Sequence, residues 1–178
     1  ILDNNMDNKF PGKDISNEDL KSKFPLAAKK NKDHKSKFTV SGVEFGGSTM
    51  PIFAGPNMVE SRELILDVAK NVKSSGAHFL RGGAFKPLTF PYRNAKYNET
   101  REDGIKWLAE AKEKYNIPII TEIMEEKYLD LVSNVADILQ IGSRNMQNYP
   151  LITACAKTKK PIMIKRHYGS SLRDWLGA

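Results

Sequence analysis

The chain has 178 residues and a mass of 20.0 kDa, enough for one domain of ordinary size with a real core. With 40% hydrophobic and 28% charged residues, its composition is that of a soluble globular protein and not of a disordered one. No apolar run approaches the roughly 18 residues that span a bilayer, and a single cysteine, Cys155, excludes an internal disulfide and a multi-cysteine zinc site.

The polar first residues, 1–12, lack the apolar stretch of a secretory signal, so a reduced, cytoplasmic compartment is the expectation. The net charge is +7, from 28 Lys and Arg against 21 Asp and Glu. Residues 1–37 hold nine Lys and six acids and so supply +3 of it. The densest positive run is Lys29, Lys30, Lys32, Lys35 and Lys37, and no aromatic residue interleaves it. A stacking surface for single strands is therefore not written there. Neither nucleic acid nor a membrane is expected as a partner, and the run reads as part of a solvated, partly flexible leader.

In chain order, residues 1–37 read as a flexible basic arm in which only 15–26 hint at a short helix. Residues 38–47 alternate around Ser41-Gly42, a hairpin signature. Residues 51–55 form a short apolar strand that ends in a Gly-Pro turn. A helix is predicted over 61–75, with Ser61 as its N-cap and Ile65, Val68, Ala69 and Val72 on one face. Residues 78–81 form the next strand, followed by Gly82-Gly83 and a long loop over 85–100. A helix over 101–115 leads to a strand over 117–123. A helix over 127–135 leads to a strand over 138–141. A helix over 149–157 leads to a strand over 161–165, and a last helix starts at 171.

Short apolar strands alternating with amphipathic helices imply parallel βαβ units, an α/β fold. The repeat of roughly 25 residues suits a TIM-type (β/α)8 barrel. A doubly wound open sheet also places ligands at the C-terminal strand ends, so position alone does not separate the two folds. A closed barrel needs about 200 to 250 residues, whereas 128 follow residue 50. The expectation is thus about five of eight strand–helix units over residues 38–178. The missing wall would come from a C-terminal half or from a second copy in a homo-oligomer, or the sheet would stay open.

The polar residues at the predicted strand ends carry the chemistry. Arg81, Lys86, Arg144, Lys165 and Arg166 are cations there, and Glu122 is the acid among them. Cations gathered in a cleft call for an anion, and Arg offers phosphate and carboxylate a bidentate fork. Gly82-Gly83 and Gly142-Ser143 offer backbone N–H groups to a phosphate or simply form turns. Asn57 reads as a turn residue, and Cys155 as a packed residue on the inner face of its helix. His34 lies in the arm and His78 at a strand start, whereas His167 follows the fifth strand. No metal-ligand cluster, P-loop or dinucleotide fingerprint is present in the sequence.

Four strings are more specific: Phe53-Ala-Gly-Pro-Asn-Met-Val-Glu-Ser61, Leu80-Arg-Gly-Gly-Ala-Phe-Lys-Pro-Leu-Thr-Phe-Pro-Tyr92, Ile138-Leu-Gln-Ile-Gly-Ser-Arg-Asn-Met-Gln-Asn148 and Lys160-Pro-Ile-Met-Ile-Lys-Arg166. In this order, the chain resembles the 3-deoxy-D-arabino-heptulosonate 7-phosphate (DAHP) synthases. The likeness is to the microbial subfamily related to 3-deoxy-D-manno-octulosonate 8-phosphate synthase. The resemblance implies a (β/α)8 barrel and a transferase that condenses phosphoenolpyruvate with erythrose 4-phosphate, the first step of the shikimate route to aromatic amino acids. It also implies roles. Arg81 would hold the phosphoenolpyruvate carboxylate, and Arg144 with the Ser143 N–H its phosphate. Lys165 would bridge the two groups, and Lys86 would lie at the reacting centre. Glu122 would orient these cations or a water, and Thr89 would contact the sugar phosphate.

The departures from the family pattern also count. Asn57 stands where the family usually has a Cys that binds a divalent metal, and a neutral amide oxygen is a poorer ligand than thiolate. No metal is therefore expected at that position. The metal-independent octulosonate synthases resemble this chain in having Asn there. Leu88 replaces an Arg that anchors the sugar phosphate, and His167 stands where Gly is common. These differences leave two alternatives: a synthase that uses another aldose phosphate, and a degenerate relative that binds or regulates without turnover.

Overall fold

The structure, a computed structural model, describes residues 15–85 and 99–178. The first helix, α1 (Asn17–Lys23), is capped by the Ser16 hydroxyl, which accepts from the Asp19 N–H at 3.0 Å, and it buries no residue. Strands β1 (Phe38–Val40) and β2 (Val43–Phe45) form the antiparallel hairpin expected from the sequence. Its two turn residues, Ser41 and Gly42, have φ of 48° and 80°. Positive φ at both positions matches the right-handed twist of the flanking strands.

A parallel sheet follows, built from β3 (Phe53–Ala54), β4 (Phe79–Arg81), β5 (Ile119–Glu122), β6 (Ile138–Ile141) and β7 (Ile162–Ile164). The strands lie side by side in sequence order. A doubly wound sheet reverses direction at a switch point, whereas a barrel wall does not. The order therefore decides between the two folds that the sequence left open. Helices α2 (Arg62–Ser74), α3 (Arg101–Tyr115), α4 (Leu129–Val135), α5 (Tyr149–Lys157) and α6 (Leu172–Gly177) follow β3 to β7 in turn.

Local chemistry sets the helix ends. The Ser61 hydroxyl accepts from the Leu64 N–H at 3.2 Å and starts α2, which buries Ile65, Leu66 and Ala69. Helix α3 stops at Asn116, whose φ of 45° is a left-handed conformation that Asn tolerates. Asn148 caps α5, and Ser171 with Asp174 forms a reciprocal capping box at α6. Four strands, β3, β4, β5 and β7, are shorter than the sequence predicts. Pro118 and Pro161 have no N–H for the ladder, so β5 and β7 begin just after these prolines, at Ile119 and Ile162. The helix predicted over 127–135 opens with a 3₁₀ turn, Glu126–Tyr128, before α4.

Two apolar clusters hold these layers. The larger lies between the sheet and its helices and includes Ile65, Leu80, Leu108, Ile119, Leu139, Ile141 and Cys155. The smaller lies on the opposite, concave face, where Phe79, Ile120 and Ile138 meet Val40 of the hairpin. Phe45 extends it through ring contacts with Phe38, Phe53 and Phe79 at 4.7, 6.0 and 5.8 Å. The hairpin thus plugs the N-terminal end of the sheet.

Asp137, just before β6, ties four elements together. Its carboxylate accepts from the Ser41 hydroxyl at 2.9 Å and the Ile119 N–H at 2.8 Å, and it pairs with Lys112 of α3 at 2.8 Å. Burial by itself would raise this carboxyl, but the Lys112, Ile119 and Ser41 bonds outweigh it and hold the group below the ordinary carboxylate range. A depressed folded value stabilises the fold above the ordinary carboxylate range. The effect is lost as pH falls through the folded value. Asp137→Asn is expected to lose about 1–2 kcal/mol at neutral pH, measured by urea denaturation. The difference from the wild type should begin to shrink below about pH 4, where the carboxyl of the unfolded chain gains its proton, and should vanish only below the lower folded value.

Candidate functional site

Each strand of the sheet turns alternate residues to the concave face. Below, toward the hairpin, these are Phe53, Phe79, Ile120, Ile138 and Met163. One step further along, at the C-terminal ends, they are Gly55, Arg81, Glu122, Gln140 and Lys165. The apolar floor therefore gives way to a polar rim within two residues of each strand.

Arg81 is half-buried at the end of β4. Its Nη1 donates to the Pro56 carbonyl and to Asn57 Oδ1, both at 3.1 Å. The β3 turn and the β4 cation are thereby joined, and among the described residues no hydrogen bond uses Nη2 or Nε. Gly55, with φ of 144°, lets this turn approach the Arg81 carbonyl where a Cβ would collide with it. Glu122 is buried at 5% exposure, and Gln140 Nε2 donates to its Oε2 at 3.1 Å. Gly142 lies against the same carboxylate so closely that a Cβ there would overlap Oε1. Gln140 was not among the residues singled out from the sequence. The signal was present, since a lone amide in the apolar run Ile138–Ile141 has to face something polar.

The second grouping lies past β6 and β7. A 3₁₀ turn, Ser143–Asn145, follows Gly142 and is anchored by buried Met146. Ser143, Arg144 and Gln147 line one side of a cavity of about 460 Å³, and His167, Ser170 and Asp174 line the other. Arg144 is exposed, and among the described residues no hydrogen bond or ion pair occupies its guanidinium. The Asp174 carboxyl is held below its ordinary range by hydrogen bonds from the Ser171 hydroxyl and N–H. It therefore stays ionised within its capping box.

Of the five cations of the sequence reading, the four among the described residues are thus not gathered at one point. Arg144 joins Ser143 and His167 in the cavity, whereas Arg81 and Glu122 belong to the concave rim. Lys165 is exposed at the end of β7 and does not line the cavity. Arg166 turns away, its Nε donating to the Ser170 carbonyl at 3.2 Å. Of the two readings left open for Gly82, a phosphate contact or a turn, the structure favours a backbone role. Its N–H donates to the Ile120 carbonyl within the sheet, and the residue packs against Val59 and Leu108. Lys86, Leu88 and Thr89 lie outside the described residues. Cys155 is buried, and burial raises its thiol, as suits a packed residue. The His78 ring accepts from the Ile52 N–H at 3.1 Å, a structural bond at the far end of the sheet.

The surroundings of Asn57 bear on its fitness as a metal ligand. Its amide oxygen accepts from the Arg81 guanidinium, so a cation bound there would face a permanent positive charge 3.1 Å from its ligand. Among the described residues, no three His, Cys, Asp or Glu side chains gather in a group suited to a metal ion. The donor set at Asn57 fits an arginine and not a divalent ion.

Comparison with known proteins adds the family context. The family model described as DAHP synthetase I matches residues 25–178. Phospho-2-dehydro-3-deoxyheptonate aldolase of Thermotoga maritima is 37% identical over 134 residues, which cover 75% of this chain and 39% of the relative. A 2-dehydro-3-deoxyphosphooctonate aldolase of Fusobacterium nucleatum is 33% identical over 145 residues, covering 76% and 50%. The chain thus spans half or less of the length of these curated relatives. The crystal structure of the Thermotoga maritima aldolase (DAHP synthase) superposes with a TM-score of 0.72 at 32% identity, covering 82% of this chain and 41% of that one. A truncated form of the Thermotoga maritima DAHP synthase gives the same TM-score at 31% identity, covering 86% and 53%.

The contact between Gly142 and Glu122 is open to a direct check. Gly142→Ala is expected to lower stability by about 1–3 kcal/mol, because a methyl there displaces a buried, hydrogen-bonded carboxylate. Glu122→Ala removes the collision, so a double-mutant cycle read by urea denaturation should show strong coupling between the two sites.

Proposed function

The chain belongs to the DAHP synthetase I family, and on that premise we propose that it carries the phosphoenolpyruvate-binding part of a barrel synthase. The reaction is the condensation of phosphoenolpyruvate with erythrose 4-phosphate to DAHP. C3 of phosphoenolpyruvate forms the new bond to the aldehyde carbon, water adds at C2, and the C2 phosphate leaves. The observation that carries the reading is the cavity in which Arg144 and Ser143 face His167 at the C-terminal end of the sheet, the end where barrel enzymes place their sites.

In this reading Arg144 and the Ser143 N–H hold the phosphate, and Arg81 holds the carboxylate through the donors that Asn57 and Pro56 leave unused. Lys165 bridges the two groups. Glu122, fixed by Gln140, orients the cations or the attacking water. Lys86 at the reacting centre and Thr89 at the sugar phosphate complete the assignment, both from the family resemblance. A second reading has its own support. The Asn57–Arg81 bond takes the place of a metal ligand, and relatives of the octonate type match alongside the heptonate type. In that reading the same chemistry runs on a longer aldose phosphate, such as arabinose 5-phosphate.

Calorimetric titration with phosphoenolpyruvate tests the site. Arg144→Ala is expected to weaken binding at least about tenfold, the loss of a charge-assisted contact; unchanged affinity would remove the phosphate role from Arg144. Release of inorganic phosphate, assayed with erythrose 4-phosphate and with arabinose 5-phosphate in parallel, separates the two readings. The expected result is faster release with erythrose 4-phosphate.

A further inference from the structure

Resting on the reading of the Arg144 cavity as an anion site, we propose that His167 is an additional binding residue of that cavity, its Nε2–H donating to the anion that Arg144 holds. His167 lines the cavity opposite Ser143 and Arg144. Its ring is oriented by its own loop. The Gly169 N–H donates to Nδ1 at 3.1 Å, and the ring stacks on Tyr168 with centroids 4.3 Å apart and planes 29° apart. The backbone is pinned as well. The His167 N–H meets the Met146 sulfur at 3.4 Å, and its carbonyl accepts from both the N–H and the hydroxyl of Ser170, at 3.1 and 2.7 Å.

This arrangement fixes the proton. An imidazole that accepts at Nδ1 carries its hydrogen on Nε2 in the neutral form. The ring therefore offers a donor to the cavity without having to become charged. That donor matters because of the local charge balance. Arg144 and Asp174 carry opposite charges on the lining, so uncharged donors beside the guanidinium add to its hold on an anion. The Ser170 hydroxyl is not such a donor, since its hydrogen goes to the His167 carbonyl. Ser143, Gln147 and the His167 Nε2–H remain beside the guanidinium.

The test uses the full chain, labelled with ¹⁵N and observed at about pH 8, where an ordinary imidazole is neutral. Only three histidines are present, so His34 and His78 serve as internal references. Phosphoenolpyruvate and inorganic phosphate are the probes. Saturation with phosphoenolpyruvate is expected to shift the His167 Nε2 resonance and leave those of His34 and His78 in place. His167→Phe keeps a ring on Tyr168 but has no nitrogen, and it should bind phosphoenolpyruvate about tenfold more weakly. His167→Gln, which restores an N–H at a similar reach, should recover part of that loss. Inorganic phosphate should show the same order of affinities if the contact is to the phosphoryl group. Tight phosphoenolpyruvate binding that Arg144→Ala weakens, with the His167 resonance unmoved and His167→Phe unimpaired, would overturn this proposal alone. Absence of binding to the wild-type chain would overturn the anion-site reading and this proposal together.

Discussion

A strand gives only every second side chain to one face of its sheet, and the strands here are two to four residues long. Each therefore commits about two residues to the concave side. The first is apolar in every strand and the second is polar or glycine, from Phe53 and Gly55 through Met163 and Lys165. That two-residue step sets the depth of the floor and the height of the rim. Lengthening a strand by one residue would turn its rim residue into the helix layer. The chemistry of the rim is thus bound to strand register. The proline starts of β5 and β7 help to set that register by denying the ladder one more N–H.

The two ends of the sheet carry different burdens. At the hairpin end, Asp137 links the Ser41 turn, β5 and α3, and the aromatic rings of Phe38, Phe45, Phe53 and Phe79 fill the space above it. These contacts stabilise the fold and touch no candidate ligand group. At the rim, the buried Glu122 carboxylate accepts from the Gln140 amide and is faced by a glycine. Burial of Glu122 is unfavourable unless its oxygens are satisfied. The absence of a side chain at Gly142 is what lets the next turn pass close to it. Stability and site chemistry therefore occupy opposite edges of one sheet, the division common to barrel folds.

Much of this was legible in the sequence, because it depends on local pattern. Helices over 101–115 and 149–157 appear with the predicted ends, since apolar spacing and flanking residues define them. The hairpin at Ser41-Gly42 is encoded in its turn chemistry. What the sequence did not show are commitments between distant side chains. Arg166 and Arg144 look equivalent as cations at strand ends, yet one turns back to Ser170 and the other opens into the cavity. Gly82 read equally as a phosphate contact or a turn, whereas its N–H donates to the Ile120 carbonyl and its missing Cβ makes room for Val59. Asn57 read as a turn residue, and its bond to Arg81 emerges only when β3 and β4 pair. Gln140 was passed over because an amide in an apolar strand gains meaning from the acid across the sheet.

The rim carries two separate donor groupings, and their separation bears on selectivity under the proposed function. Arg81 with Asn57 belongs to β4, and Arg144 with Ser143 follows β6, with β5 between them. Two strand spacings place their backbones roughly 10 Å apart, a gap that inward-reaching arginine side chains narrow. An anion with a single acidic group satisfies one grouping and leaves the other facing water. A ligand with a carboxylate and a phosphate on a short, rigid frame engages both. Tethering the two groups makes the second contact intramolecular, so its effect multiplies that of the first. Glu122, buried between the two groupings on β5, lies where it can set the orientation of both. In this geometry, discrimination against simple phosphate arises from the spacing of strands and not from any one cation.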